Sequence, residues 1–139
     1  MHFIAHHSSG SRIFHGERLA GETAMSQEAL GHARRVIELA VTQVFDIRDG
    51  HLAQLSRSGA RICFARQVAM YLAHVACRMT LTEVGRLFGR DRTTVAHACA
   101  VVEDRRDEVA LDRALDLLEW AVPVMAARPV SYLEQFQKH

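Results

Sequence analysis

The fold of this chain is decided by residues 87–98, which read Leu87-Phe88-Gly89-Arg90-Asp91-Arg92-Thr93-Thr94-Val95-Ala96-His97-Ala98. Gly89 separates two patterns of helical spacing, and glycine ends helices readily because it takes positive φ at little cost. Upstream, Thr80 and Glu83 have the spacing of a capping box, which predicts that a helix begins there. A short helix, a tight turn and a longer helix together predict a helix-turn-helix.

The helix after the turn has two faces of different chemistry. Its apolar positions are Val95, Ala98, Cys99 and Val102. Its polar positions are Arg92, Thr93, Thr94 and His97. Because a helix in the major groove presents such polar groups to base edges, the second face indicates DNA binding.

A family resemblance is carried by Arg66-Gln67-Val68-Ala69-Met70-Tyr71-Leu72, by Leu81-Thr82-Glu83-Val84-Gly85-Arg86-Leu87-Phe88, and by residues 90–98 of the stretch above. Together these segments resemble the C-terminal DNA-binding domain of DnaA, the bacterial chromosomal replication initiator, over roughly residues 28–106. The resemblance implies an all-α, TrpR-like multi-helix bundle that contains the helix-turn-helix. In this family a basic loop enters the minor groove, and an Arg-Asp-His-Thr-Thr run reads a short, A·T-rich box in the major groove.

The resemblance assigns base contacts to Asp91, Arg92, Thr93, Thr94 and His97. Arg92 stands where the family has His, and its forked guanidinium suits the O6 and N7 acceptors of guanine. Each threonine offers a methyl to thymine and a hydroxyl to a base or phosphate. Asp91 either accepts from a cytosine amino group or only caps the helix, and His97 either donates to DNA or is a surface histidine without function.

The expected contacts with phosphate and the minor groove are Arg57, Arg61, Arg66, Gln67, Arg86 and Arg90. The first two lie in a predicted flexible loop over residues 56–61 and are candidates for the minor groove, where A·T-rich DNA concentrates negative potential. Arg66 and Gln67 are expected at the N-terminal end of the next helix, where free backbone N–H groups also meet phosphate. The single Gly89 replaces the family's Gly-Gly, and Ala65 replaces a proline.

Charge is distributed unevenly along the chain. The formal net charge is +1, yet residues 57–106 hold nine arginines against four acidic residues, and residues 107–139 hold three basic residues against six acidic ones. The basic block coincides with the helix-turn-helix, as the electrostatic footprint of a DNA-binding protein does. The expected partner is therefore double-stranded DNA with DnaA-box-like sites.

Helix signals and breakers divide the chain into four segments. These are a disordered tail over residues 1–25, the DNA-binding domain over 26–106, an additional amphipathic helix over 107–127 and a second tail over 128–139. Within the domain, helices are predicted from Ser26 as N-cap to about Val44, from Asp49 to Leu55, from Ile62 to about Ala76, and from Asp91 to near Arg106.

The additional C-terminal helix has two interpretations that the sequence leaves open. Its apolar stripe runs from Val109 to Met125, with Trp120 nearby, and Pro123 and Pro129 are expected to break it. The stripe either packs against the first helix as core or forms a surface for self-association or another partner, with an acidic outer face.

Other features argue against a metal, a nucleotide or a membrane. No Gly-x-x-x-x-Gly-Lys-Ser/Thr loop occurs, so the protein is expected to act without an ATPase domain, nucleotide or other cofactor. Cys63, Cys77 and Cys99 form no Cys-x-x-Cys pair and are expected to be buried free thiols that bind no metal. No apolar run is long enough to cross a bilayer, and a cytoplasmic, nucleoid-associated protein is expected.

Two other function classes compete with DNA binding. An enzyme would need a nucleophile and a base from His74, His97 and Cys99, but Cys99 lies on the predicted core face and no oxyanion-hole signal accompanies it. A protein-interaction adaptor would keep the fold and lose specific DNA binding.

The DNA-binding interpretation itself allows two cellular roles. As a DNA-binding domain without an ATPase, the protein would compete with the full initiator at its boxes or repress promoters, and the sequence leaves that choice open.

Overall fold

The computed structural model describes residues 25–47 and 59–127, and these residues form helices joined by short turns. The helices are α1 (Gln27–Phe45), α2 (Ala60–Tyr71), which continues as a π-helical segment (Leu72–Ala76), α3 (Leu81–Phe88), α4 (Arg92–Asp104), a 3₁₀ turn (Arg105–Asp107) and α5 (Val109–Ala126). The predicted all-α class is confirmed. Three predicted features lie outside the described residues: most of the N-terminal tail, the short helix from Asp49 to Leu55, and the C-terminal tail.

Local capping fixes the ends of α1 as the sequence predicts. The Ser26 side chain accepts a hydrogen bond of 3.1 Å from the backbone N–H of Ala29, which satisfies one of the free donors of the first turn. At the other end, Asp46 takes a left-handed conformation with φ of 53° and its N–H bonds back to the Thr42 carbonyl. Thr42 also donates from Oγ1 to the Glu38 carbonyl at 2.8 Å.

The start of α2 differs from the prediction. Gly59 is the N-cap with φ of 97°, and the helix begins at Ala60 rather than at Ile62. Arg61 is therefore a residue of the first helical turn and not of a loop. The early start also places Arg66 and Gln67 in the second turn, beyond the free N–H groups of the helix N-terminus.

The π-helical segment after α2 turns the chain toward the helix-turn-helix. Its wider hydrogen bonding ends with the N–H of Cys77 donating to the Leu72 carbonyl at 3.0 Å. His74 is buried there, and its Nδ1 lies 2.7 Å from the Met79 carbonyl oxygen. Because a carbonyl oxygen only accepts, Nδ1 carries the proton of this bond. The bond closes the turn that leads into α3.

α2 lies at the centre of the bundle and packs most extensively against α4 and also against α1. The fully buried side chains come from every helix and include Ile37, Val41, Val68, Tyr71, Leu72, Val84, Val95, Val102, Leu115 and Val122. Burying such aliphatic and aromatic groups stabilises the fold by about 1.5–3 kcal/mol each. The core therefore holds α3 and α4 in a fixed mutual orientation.

α5 packs against α1 and the π-helical segment through Leu115, Leu118 and Val122. The core interpretation of its stripe holds for these residues but is wrong for Val109 and Trp120, which are exposed. The predicted break at Pro123 is also wrong, since the helix runs on to Ala126. Proline removes one backbone donor near the helix end, and the buried neighbour Val122 keeps this last turn packed.

Candidate nucleic-acid interface

The first helix of the motif begins with the capping box that the sequence predicts. The N–H of Glu83 donates to Thr80 Oγ1 at 3.1 Å, and the Thr80 N–H donates to Glu83 Oε1 at 2.9 Å. Two backbone donors of the first turn are thus satisfied reciprocally. The start of α3 is consequently set by two side chains three residues apart.

The turn after α3 is built by two glycines. Gly89 is left-handed, with φ of 68°, and the N–H of Arg90 donates to the Gly85 carbonyl at 2.8 Å, as in a Schellman motif. A Cβ on Gly85 would lie 2.5 Å from the Arg90 carbonyl oxygen. Sequence reasoning missed Gly85. The available signal was a glycine inside a helical pattern, where its low helix propensity calls for a packing reason.

Asp91 caps α4, which is one of the two roles that the sequence allows for it. Its Oδ1 accepts from the Thr94 backbone N–H at 2.8 Å. This hydrogen bond, with smaller contributions from the Thr94 hydroxyl and from Thr93, lowers the pKa of the Asp91 carboxyl below its ordinary value. The cap fixes the first turn of α4 and so the positions of the side chains that follow. A base contact by Asp91 stays a prediction.

The two predicted faces of α4 are separated in the structure. Val95, Ala98, Cys99 and Val102 are buried. Arg92, Thr93, Thr94 and His97 are exposed, together with Ala96 and Ala100. The small alanines between the polar groups leave the backbone of α4 accessible to a close surface. The proposed base-reading side chains thus share one open surface, and their contacts with bases stay predictions.

The basic residues proposed to contact phosphate are placed differently from one another. Arg61 and Arg86 are exposed, whereas Arg66, Gln67 and Arg90 are half-buried. Arg57 lies outside the described residues. The prediction that Arg66 and Gln67 stand at a helix N-terminus is wrong, because α2 begins six residues before Arg66. Any phosphate contact they make uses their side chains rather than free N–H groups.

Arg34 of α1 contacts the C-terminal end of α3, a link that sequence reasoning missed. Its Nη1 donates to the Leu87 carbonyl, and its guanidinium carbon lies 5.0 Å from the centre of the Phe88 ring. Glu38, one turn along α1, holds the Nε of Arg34 at 3.0 Å. Carbonyls at a helix end carry partial negative charge, so the cation is favourably placed. Arg34 therefore anchors the turn of the motif to α1.

A second arginine links α4 to α5. Arg106 is 4% exposed, and its guanidinium binds three carboxylates of α5, from Asp112, Asp116 and Glu119. The Nε of Arg106 lies 2.6 Å from Asp112 Oδ1, and Nη1 donates to the Tyr71 hydroxyl at 2.9 Å. The expected acidic outer face of the last helix is therefore wrong in part, because these three carboxylates converge on a buried cation.

The Tyr71 hydroxyl completes this buried cluster. It lies 2.9 Å from Glu103 Oε2 and 3.1 Å from Glu119 Oε2, and its one proton can be donated to either. Burial, reinforced by the two carboxylates, raises the pKa of Tyr71 well above its usual range, so the hydroxyl stays protonated. The cluster joins α2, α4 and α5 at the end of the bundle away from the turn of the motif.

The three side chains that an enzyme would use differ in their exposure. Cys99 and His74 are buried and His97 is exposed. Burial, with a contribution from Glu103, raises the pKa of the Cys99 thiol to about 12, which keeps it protonated. Cys63 is exposed, contrary to the prediction that all three thiols are buried.

Neither a metal site nor a membrane span is found within the described part of the chain. No group of three or more His, Cys, Asp or Glu side chains there could hold a metal ion. Over the same residues, no helix is both long and apolar enough to cross a membrane.

Comparison with known proteins identifies the family. Residues 35–102 match the family model described as the bacterial DnaA protein helix-turn-helix. The chromosomal replication initiator protein DnaA of Burkholderia multivorans is 35% identical over 117 residues, which cover 76% of this chain and 22% of that protein. DnaA of Bartonella quintana is 34% identical over 113 residues, covering 80% of this chain and 23% of that protein. The chain thus spans less than a quarter of the length of these relatives. Over residues 35–102, the chain thus has the helix-turn-helix domain of the bacterial DnaA family.

Proposed function

We propose that the protein binds double-stranded DNA sequence-specifically, at DnaA-box-like sites, through the exposed face of α4. The observation that carries the proposal is the separation of faces on α4. Arg92, Thr93, Thr94 and His97 are exposed together, next to a turn fixed by Gly89 and the Asp91 cap. A helix held in this way can enter the major groove with its first turns toward the bases.

Backbone contacts would come from the basic residues around the motif. Arg61 and Arg86 are exposed and Arg90 is half-buried beside the turn. Each arginine that neutralises a phosphate contributes about −0.9 to the slope of log K against log salt, so these three contacts give about −2.7. Arg57 and Arg66 are further candidates for these contacts.

In the cell this activity would regulate the initiation of chromosome replication or transcription. The 139 residues contain no Gly-x-x-x-x-Gly-Lys-Ser/Thr loop. We therefore propose that the polypeptide occupies its boxes without hydrolysing ATP, near the nucleoid. Occupied boxes would be withheld from a full-length initiator or from RNA polymerase.

The experiment is a fluorescence anisotropy titration of the protein against a duplex with the family's box and a scrambled duplex, at several salt concentrations. We expect tighter binding to the box and a steep salt dependence on both duplexes, unchanged by added ATP. Thr94→Ala should weaken binding to the box by about 1–3 kcal/mol and to the scrambled duplex little, while Arg86→Ala should weaken both equally. Equal affinity of the wild type for both duplexes would contradict sequence-specific binding, and an adaptor would bind neither.

A further inference from the structure

The solvent-facing side of α5 carries a row of apolar side chains with no partner among the described residues. Val109, Leu117, Trp120 and Val124 are 63%, 61%, 68% and 43% exposed. The spacing of three or four residues between the last three places them on one face of the helix. Arg113, also exposed, lies on the same face, one turn before Leu117. We call Val109, Arg113, Leu117, Trp120 and Val124 the α5 row.

The exposed side chains form a contiguous row rather than scattered points, and contiguous apolar patches mark interaction surfaces. Exposed tryptophan is costly in water, and tryptophan is enriched at the centres of protein interfaces. The other side of α5 is already occupied, because Leu115, Leu118 and Val122 pack into the core. The core therefore cannot account for the α5 row.

An apolar groove between α1 and α5 adjoins the row and enlarges it. The groove has a volume of about 190 Å³ and is lined by Leu39 and Ala40 of α1 and by Ala121 and Met125 of α5, among others. Ala121 lies four residues after Leu117 and three before Val124, so the groove borders the row on that side of the helix. A partner seated on Leu117 and Val124 would therefore also reach this groove.

We propose that the α5 row binds the α5 row of a second copy of this chain, with the two helices antiparallel. Around a two-fold axis near residues 118 and 119, Leu117 of each copy faces Trp120 of the other, and Arg113 faces Val124. Arg113 is one turn from Leu117, so its guanidinium can reach the indole face of the opposite Trp120, a favourable cation–π contact. The row is thus complementary to itself, as a two-fold interface must be.

Charge selects the antiparallel arrangement over the parallel one. In a parallel pair, the two Arg113 side chains would lie side by side and repel each other. In the antiparallel pair, eleven residues separate them along the helices, which corresponds to about 16 Å. Asp112, Asp116 and Glu119 share their own Arg106, which offsets part of their negative charge near the centre of the pair.

The size of the row sets the strength of the pairing. Stable complexes bury about 20–30 residues on each side, and the row with its groove offers fewer. We therefore expect a reversible dimer that dissociates in the micromolar range or above. The face is separate from the exposed face of α4, so pairing would join two units, each with its own candidate DNA surface.

The test uses the full chain in solution and the fluorescence of Trp120, which is the only tryptophan in the sequence. We expect sedimentation to show a concentration-dependent dimer, and the emission of Trp120 to shift to shorter wavelength over the same concentration range. Trp120→Lys should weaken the dimer at least about tenfold, because it removes the central anchor. Val44→Lys is the matched control, since Val44 is an exposed apolar residue of α1 outside the row, and it should dimerise as the wild type does.

The orientation is tested by nitroxide labels at Val109→Cys in a Cys63→Ser background. Burial raises the pKa of Cys77 to about 11 and, with Glu103, that of Cys99 to about 12, so these thiols should resist labelling. The label-to-label distance should be about 30 Å in the antiparallel dimer and about 10 Å in a parallel one.

Three results would each overturn the proposal. They are a wild type that stays monomeric at millimolar concentration, a Trp120→Lys dimer of unchanged strength, and a short label distance. No DNA is present, so the dimer and the proposed DNA binding can fail separately.

Discussion

At the scale of single residues, Arg92 is the proposed determinant of base preference. Arg92 is the first residue of α4 and is exposed, directly after the Asp91 cap. Its guanidinium can donate two parallel hydrogen bonds to guanine, whereas the histidine that the family has there cannot. If α4 reads bases as proposed, we expect the chemistry of this one side chain to decide one base of the preferred site.

We expect Arg92→His to move the preferred site toward the family's box. The wild type should select guanine at one position where the variant does not, because the bidentate contact is lost. Selection of sites from a random duplex pool with both proteins measures this change. Identical preferred sequences would rule out base reading by Arg92.

Gly85 is a second residue whose identity is constrained by the fold. Gly85→Ala should lower the free energy of unfolding by about 1–3 kcal/mol, because the new methyl would overlap the Arg90 carbonyl oxygen and push the turn away from α3. Gly31→Ala is the control, since a Cβ there meets nothing within 4 Å, and it should stabilise α1 by up to about 1 kcal/mol. Urea denaturation followed by circular dichroism measures both. A Gly85→Ala variant as stable as Gly31→Ala would contradict the close approach.

At the scale of helices, the orientation of α3 depends on a contact from α1. The Arg34 guanidinium holds the Leu87 carbonyl and lies over the Phe88 ring, immediately before Gly89. Because α4 follows the same turn, a change at Arg34 should alter how α4 is presented to DNA. The first helix of the domain therefore supports the motif without needing to contact DNA.

Arg34→Met should weaken box binding several-fold and lower the free energy of unfolding by about 1–2 kcal/mol, since a charged hydrogen bond and a cation–π contact are lost. Arg35→Met, one residue along and exposed, is the matched control for the loss of one positive charge. Anisotropy titrations at a temperature where both variants are fully folded measure the affinity. If the two variants lost the same affinity, the effect of Arg34 would be one of charge alone.

At the scale of the whole molecule, the last helix is joined to the rest of the bundle by the buried cluster of Arg106, Tyr71 and the surrounding carboxylates. Removing a buried cation leaves Asp112, Asp116 and Glu119 facing one another without a counter-charge. Arg106→Met should therefore lower the free energy of unfolding by about 3 kcal/mol. Arg105→Met, which removes an exposed ion pair with Glu108 and a contact over Phe64, should cost less than about 1 kcal/mol. Equal losses in thermal or urea denaturation would show that the cluster does not stabilise the bundle.

The sequence by itself determined the features that depend on neighbours along the chain. The Thr80–Glu83 capping box, the left-handed Gly89 and the Asp91 cap each involve residues at most five apart. Helical periodicity likewise assigned the buried and exposed faces of α4, because a face depends only on spacing. Together with the family resemblance, these local signals were sufficient for the all-α class and for locating the candidate DNA surface.

Only the tertiary structure decided the features that join distant residues. Arg34 and Leu87 are 53 positions apart, and Tyr71 and Arg106 are 35 apart. Periodicity places Trp120 near an apolar stripe but cannot show that the core lacks room for it, since that depends on how α5 lies on α1. Charge counts likewise could not reveal that three acidic residues of α5 surround a buried arginine. Such contacts depend on how the helices pack in three dimensions, and no local spacing rule encodes that packing.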